Sequence, residues 1–294
     1  MVLRDNLAGY AFISPWLVGF FVFTIIPILV SLYISFTRYD LINDPTFIGL
    51  GNFKFLFFED PRYLQAVRVT LLYVVTAVPL RLIFALFVAM ILAQPHKFVG
   101  FYRLVYYLPS IIGSSVAIAV VWREFFGFFG PINTLASFFV ELESNISLVG
   151  NPDTALMTVV SLYVWQFGSS MLIFLAGLKN IPDTLYESAV IDGAGSVTKF
   201  FRITLPLLTP VILFNLVMQT IHGFMVFTQA LIITDGGPMD ATLVYVLYMY
   251  RRAFQFYDMG TASAMAWLLF IVMAVVTFLI FKSSDRWVYY EGGK

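Results

Sequence analysis

Six stretches of mostly apolar residues run through this chain, at about residues 11–36, 67–93, 104–122, 155–178, 207–233 and 260–281. A helix rises about 1.5 Å per residue and the hydrocarbon core of a bilayer is about 30 Å thick, so each stretch is long enough to cross it. Backbone N–H and C=O groups find no water there, which leaves helices or closed barrels as the spanning forms. Barrel strands would alternate over about 10 residues, and runs such as Leu82–Leu92 do not alternate. The expectation is an all-α polytopic membrane protein with six transmembrane helices, forming one membrane domain over residues 1–294.

Composition narrows the chemistry. Only 12% of the residues are charged and 60% are hydrophobic, against about 25% charged in a soluble domain. That excludes an ordinary soluble enzyme and a disordered chain. Lys and Arg number 17 and Asp and Glu 17, so no basic surplus exists for nucleic acid. Without cysteine there are no disulfides, thiolate metal sites or thiol catalysis. Two histidines, His96 and His222, are too few for a His-built metal centre. No metal or cofactor is expected in this chain.

Lys and Arg in short loops set orientation. Lys97 and Arg103 lie in the second loop, Lys179, Lys199 and Arg202 in the fourth, Arg4 at the start and Lys282, Arg286 and Lys294 at the end. The third loop has no Lys or Arg but carries Glu141, Glu143 and Asp153. Both termini and the even loops are therefore expected in the cytoplasm. The first loop opposes this mildly, with Arg38, Lys54, Arg62 and Arg68, but it also carries Asp40, Asp44, Glu59 and Asp60. No small-residue cleavage site follows a short apolar core at the start, so the first stretch is expected to stay as an anchor.

None of the 17 carboxylates falls inside the six stretches. Ion-coupled transporters keep ionisable groups in the membrane as relays, and a membrane hydrolase needs an acid pair or a Ser–His–Asp set, neither of which is present. A phosphate loop of the G-x-x-x-x-G-K-[ST] type is missing too. Energy must come from another polypeptide.

The fourth loop, residues 179–206, reads as helix, turn and helix. Pro182 ends or begins a helix, Asp183 or Thr184 can cap one, and Glu187 suits the far position of a capping box. Asp192-Gly193-Ala194-Gly195 reads as a turn, and Ser196 can cap the next helix. Three residues separate Glu187-Ser188-Ala189 from Gly193, and nine more separate Gly193 from Ile203, which Leu205 and Pro206 follow. This spacing resembles the cytoplasmic signature of permease subunits of ATP-binding-cassette (ABC) importers, E-A-A, three residues, G, nine residues, I-x-L-P. Ser188 is the one departure. Pro15-Trp16, Ser31–Phe36, Gly51-Asn52-Phe53, Gly223-Phe224, Gly236-Gly237-Pro238, Tyr250-Arg251 and Met259-Gly260 extend the resemblance to the maltose-type carbohydrate permeases.

The resemblance implies a type I importer fold in a bacterial or archaeal cytoplasmic membrane, among membrane lipid. It implies a second permease subunit, two ATPase subunits that bind ATP and Mg, an extracytoplasmic solute-binding protein and a sugar substrate. Glu187, Ser188, Ala189, Asp192, Gly193, Ala194, Ile203, Leu205 and Pro206 would then form the segment that docks on the ATPase. The chain itself would not be an enzyme.

Asn215, Gln219, His222 and Gln229 are spaced by four, three and seven residues, one face of a continuous helix. They read either as the lining of a sugar path or as interhelical hydrogen-bonding groups. Arg81 lies in the middle of the second stretch, where a charge is costly, and the resembling permeases commonly have an uncharged residue there. It either pairs with backbone or partner groups, or meets an anionic substrate such as a uronic-acid oligosaccharide. Tyr245, Tyr248, Tyr250, Phe254, Phe256 and Tyr257 read as an interfacial aromatic belt or as contacts for a binding protein or sugar. Other readings are an importer for glycerol phosphate or a polyol, a scaffold subunit, and a channel. The polar face opposes the scaffold, and the lack of an acidic ring or filter opposes the channel.

Overall fold

A computed structural model describes residues 12–94, 97–137 and 147–289. Arg4, His96, Glu141, Glu143 and Lys294 lie outside them. In chain order the elements are α1 (Phe12–Ser35), β1 (Thr37–Arg38), β2 (Thr46–Phe47), α2 (Gly51–Phe58), α3 (Pro61–Ala93), α4 (Val99–Ile112) and α5 (Val116–Phe126). There follow α6 (Pro131–Ser137), α7 (Pro152–Trp165), α8 (Gly168–Lys179), α9 (Asp183–Ile191), α10 (Ser196–Phe224), α11 (Thr228–Ile233), α12 (Tyr245–Tyr250) and α13 (Met259–Ser284).

Among the described residues, α1, α3, α10 and α13 are each long and apolar enough to cross a membrane. The third and fourth expected spans are broken: α4 and α5 meet at 95°, α7 and α8 at 45°. Counting each bent pair as one span gives six. The sharper bend follows Pro109, which lacks an N–H donor, and ends at Ser115, whose hydroxyl accepts from the Ile118 N–H at 3.4 Å and caps α5.

The chain divides into two compact units. The first draws on described residues 12–61 and 249–272. Its organiser is the buried Asn52, whose amide donates to the carbonyls of Ser35 and Thr37, each at 2.8 Å, and accepts from the Thr261 hydroxyl at 3.3 Å. Asn52 thereby satisfies carbonyls left open where α1 ends. Gly260 has no alternative, since a Cβ there would collide with the Thr37 carbonyl. Asp60 and Arg252 form a buried ion pair at 2.6 Å, with the guanidinium 4.8 Å above the Phe55 ring and Asp258 at 3.7 Å.

The second unit draws on described residues 62–248 and 273–289. Along α3, Ala66, Ala77, Ala85 and Ala89 are fully buried, the small-residue packing that lets membrane helices approach closely. Gly223 of α10 sits against Val74 and Val78 of α3. Two expectations need correction here. Tyr245 and Tyr248 are buried, with the Tyr245 N–H donating to the Thr70 hydroxyl at 2.7 Å, so they pack the interior and belong to no aromatic belt. The fifth stretch does not run to residue 233: its helix stops at Phe224, with Met225 as its C-cap, and α11 is separate.

Candidate functional site

Two sites emerge from the second unit. The first is the loop between α8 and α10. Pro182 occupies the N-cap position of α9 and no side chain caps it. Asp183, the first helical residue, favours that end by charge, and Glu187 is exposed and makes no capping-box bond. The C-terminus explains the motif spacing. Ala194 N–H donates to the Ala189 carbonyl at 2.8 Å and Gly193 N–H to the Val190 carbonyl at 3.0 Å, with Gly193 at φ +78°. That is the Schellman cap, which places a left-handed residue four positions after the residue that starts the bond pattern. Hence Gly193 stands four positions after Ala189, and the half-buried Ala189 and Ala194 sit at the positions whose side chains meet in such a cap.

Beyond the turn, Gly195 is the N-cap of the next helix and Ser196 does not cap it. That helix passes through a π turn at Phe200–Thr204, where the Leu205 N–H reaches back to the Phe200 carbonyl. Proline at 210 leaves the Pro206 carbonyl without its usual partner, and the Thr209 hydroxyl donates to it at 2.6 Å. The same hydroxyl accepts the Tyr289 N–H at 2.8 Å. The Tyr186 and Thr204 hydroxyls, 2.9 Å apart, tie α9 to the start of the span. Glu187, Ser188, Asp192 and Gly193 are exposed, whereas Ile203, Leu205 and Pro206 are partly covered. Exposed apolar side chains lie among them: Ile191 is 87% and Val197 72% exposed. Isolated from a partner, such a surface is costly in water.

The second site lies where the two broken spans cross. Gln166, just after α7, donates to the Gly113 carbonyl at 2.7 Å, and its own carbonyl accepts from the Ser110 hydroxyl at 2.9 Å. The Ser110 hydroxyl in turn accepts the Ser169 N–H at 3.0 Å. Gly168 is required, because a Cβ would press on the Tyr106 carbonyl at 2.7 Å. Arg81 of α3 joins this crossing. It is 6% exposed, donates from Nη2 to the Ser169 hydroxyl at 3.2 Å and lies over the Tyr163 ring at 4.4 Å. Among the described residues no carboxylate pairs with it, and its Nε is buried without a hydrogen-bond partner. The start of α8 carries the positive end of a helix, and the neighbouring Ser170 hydroxyl is buried without a partner. The buried guanidinium and the start of α8 meet there without a carboxylate among the described residues.

The predicted stripe divides. The Gln219 side chain is held by the Tyr163 hydroxyl at 3.0 Å, which also donates to the Gln219 carbonyl at 2.9 Å. Asn215 is fully buried, and neither atom of its amide has a partner. His222 shares their face but is exposed. Gln229 does not belong with them: it lies in α11, past the break at Met225, so the continuous-helix spacing fails for it. Tyr163, Gln166 and Ser169 escaped the sequence reading. Their signal was polar residues recurring inside an otherwise apolar fourth stretch.

The family of binding-protein-dependent transport system inner membrane components matches residues 61–290, most of the chain and all of both sites. The chain belongs to this family. It is a multi-pass permease subunit of an ABC transporter. It is 56% identical over 292 residues to the probable ABC transporter permease protein YesP of Bacillus subtilis, covering 99% of this chain and 94% of that one. It is 32% identical over 286 residues to the arabinooligosaccharides transport system permease protein AraP of the same organism, covering 94% and 88%. Its fold matches a chain of a bacterial ABC transporter involved in the import of the acidic polysaccharide alginate, with a TM-score of 0.82 over 97% of both chains at 24% identity.

Proposed function

We propose that this permease carries an acidic oligosaccharide across the cytoplasmic membrane, with Arg81 meeting the substrate's carboxylate. The observation that carries the reading is a buried guanidinium at the crossing of two broken spans, with no carboxylate beside it among the described residues. A buried charge is costly unless an opposite charge compensates it, and broken membrane helices commonly frame substrate sites. The arabinooligosaccharide relative supports the sugar class. Asn215 would offer its amide to a sugar hydroxyl, and His222 would stand at the exposed end of the same face. Gln219 serves the packing through Tyr163.

A second permease completes the path, and a solute-binding protein delivers the sugar from outside. Two ATPase subunits bind ATP and Mg and dock on the loop at 179–206, where the exposed Glu187, Ile191 and Val197 offer charge and apolar surface. Both termini lie in the cytoplasm. Closure of the ATPases moves α9 and the adjoining span together, and alternating access follows from the different affinities of the two states for ligand and partner. A glycerol phosphate substrate would use the same guanidinium on a phosphate.

Uptake in proteoliposomes containing the full transporter tests this. Arg81→Gln is expected to slow uptake of a uronic-acid oligosaccharide at least tenfold, since a charge-assisted hydrogen bond contributes about 1.5–3 kcal/mol. Uptake of the acidic sugar unchanged by Arg81→Gln refutes the role of Arg81. Uptake of glycerol phosphate alone, lost in the variant, moves the substrate from sugar to phosphate ester.

A further inference from the structure

At one end of the second unit, α3 finishes at Ala93, α4 begins at Val99 and α8 finishes at Lys179, and the three ends line one pocket of about 530 Å³. Its cations are Lys97, Arg103 and Lys179, its apolar lining includes Leu92 and Val99, and among the described residues no acidic one lines it. The Nε of Arg103 is buried and has no hydrogen-bond partner. The C-terminal ends of α3 and α8 each contribute about half a negative charge and the start of α4 about half a positive one. The balance stays at about +2.5, so helix ends do not neutralise the pocket. Beside it Phe98 is 79% and Phe101 63% exposed, an apolar shelf next to a basic hollow.

A charged hollow at the ends of membrane-crossing helices, open beside an apolar shelf, has the two chemistries of a phospholipid. We propose that it holds the phosphate of an anionic phospholipid such as phosphatidylglycerol, with acyl chains over Phe98 and Phe101. The Arg103 fork suits two phosphate oxygens, and Lys97 and Lys179 supply point charges on either side. Such basic pockets between membrane helices are the recognised form of headgroup recognition.

The test uses the complete transporter in nanodiscs made from phosphatidylglycerol and phosphatidylethanolamine, with retained lipid measured by native mass spectrometry. Wild type is expected to retain phosphatidylglycerol over phosphatidylethanolamine. Each of Lys97→Gln, Arg103→Gln and Lys179→Gln should weaken retention about fivefold, and all three together on the order of 100-fold. Lys282→Gln, at another span end, should leave retention intact. Equal retention by wild type and the triple variant overturns the proposal, as does equal preference for phosphatidylethanolamine. Binding of inorganic phosphate without retained phosphatidylglycerol overturns the lipid source as well. Should the triple variant misfold, Lys97→Gln alone decides, because Lys97 is exposed and its loss leaves the packing untouched.

Discussion

Asn215 and Gln219 stand one turn apart on the same face, and apolar replacement should push their stabilities in opposite directions. Asn215 is fully buried with both amide atoms unpartnered. A buried polar group in that state costs about 1–3 kcal/mol. Leucine has the same branching, so Asn215→Leu removes that cost and adds volume costing about 1 kcal/mol. The net expectation runs from no change to a gain of about 2 kcal/mol. In Gln219→Leu the Tyr163 hydroxyl keeps the main-chain carbonyl at 2.9 Å and loses only the side-chain acceptor at 3.0 Å. That loss is about 0.5–1.5 kcal/mol. Thermal unfolding of the purified transporter in detergent measures both, and proteoliposome uptake measures the path. Asn215→Leu should transport poorly while unfolding no earlier than wild type. Gln219→Leu should unfold earlier and transport in proportion to the folded fraction. An Asn215→Leu protein that unfolds earlier than Gln219→Leu refutes the reasoning, because the Asn215 amide would then be a bonded part of the packing.

Other residues give sharper single tests. Gly193→Ala puts a Cβ into open space but at φ +78°, so the effect is backbone strain of about 1 kcal/mol; sugar-stimulated ATPase activity should fall, with Gly193→Asn recovering part of it. Asp60→Ala removes the 2.6 Å carboxylate partner of the buried Arg252, with the Asp258 contact longer at 3.7 Å, and should destabilise by about 3–5 kcal/mol in thermal unfolding. Thr209→Val removes the donor to Pro206 and the acceptor for Tyr289. Limited proteolysis should then trim the C-terminal segment faster, with stability down by about 1–3 kcal/mol.

Apolar run length carried most of the fold, because crossing a bilayer imposes one length on every span. It found α1, α3 and α13 to within a few residues at most ends, and located α10 while missing both of its ends. It could not see direction, so the 95° turn between α4 and α5 stayed hidden inside a run whose apolarity continues past Gly113. The end of α10 was hidden likewise: Met225-Val226-Phe227 is as apolar as the helix before it, and Gln229 was thereby assigned to the wrong element. Arg81 stood out by its cost, but its partner Ser169 lies 88 residues away, and only tertiary packing joins them. In the loop at 179–206 the turn at Gly193 was legible, since a Schellman turn fixes its glycine by local geometry, whereas the caps expected from Glu187 and Ser196 do not form.

The π turn at Phe200–Thr204 joins the exposed loop to the helix that bears Asn215. It wraps one residue more into its turn than an α-helix would, and each residue of an α-helix advances by about 100°. The angle between α9 and the Asn215 face is therefore keyed like a cam on a shaft. Deleting the exposed Phe201 from the π turn would swing the two faces out of phase by roughly a quarter to a third of a revolution. On the alternating-access mechanism proposed above, the stroke of such a chain would arrive aimed at the wrong wall.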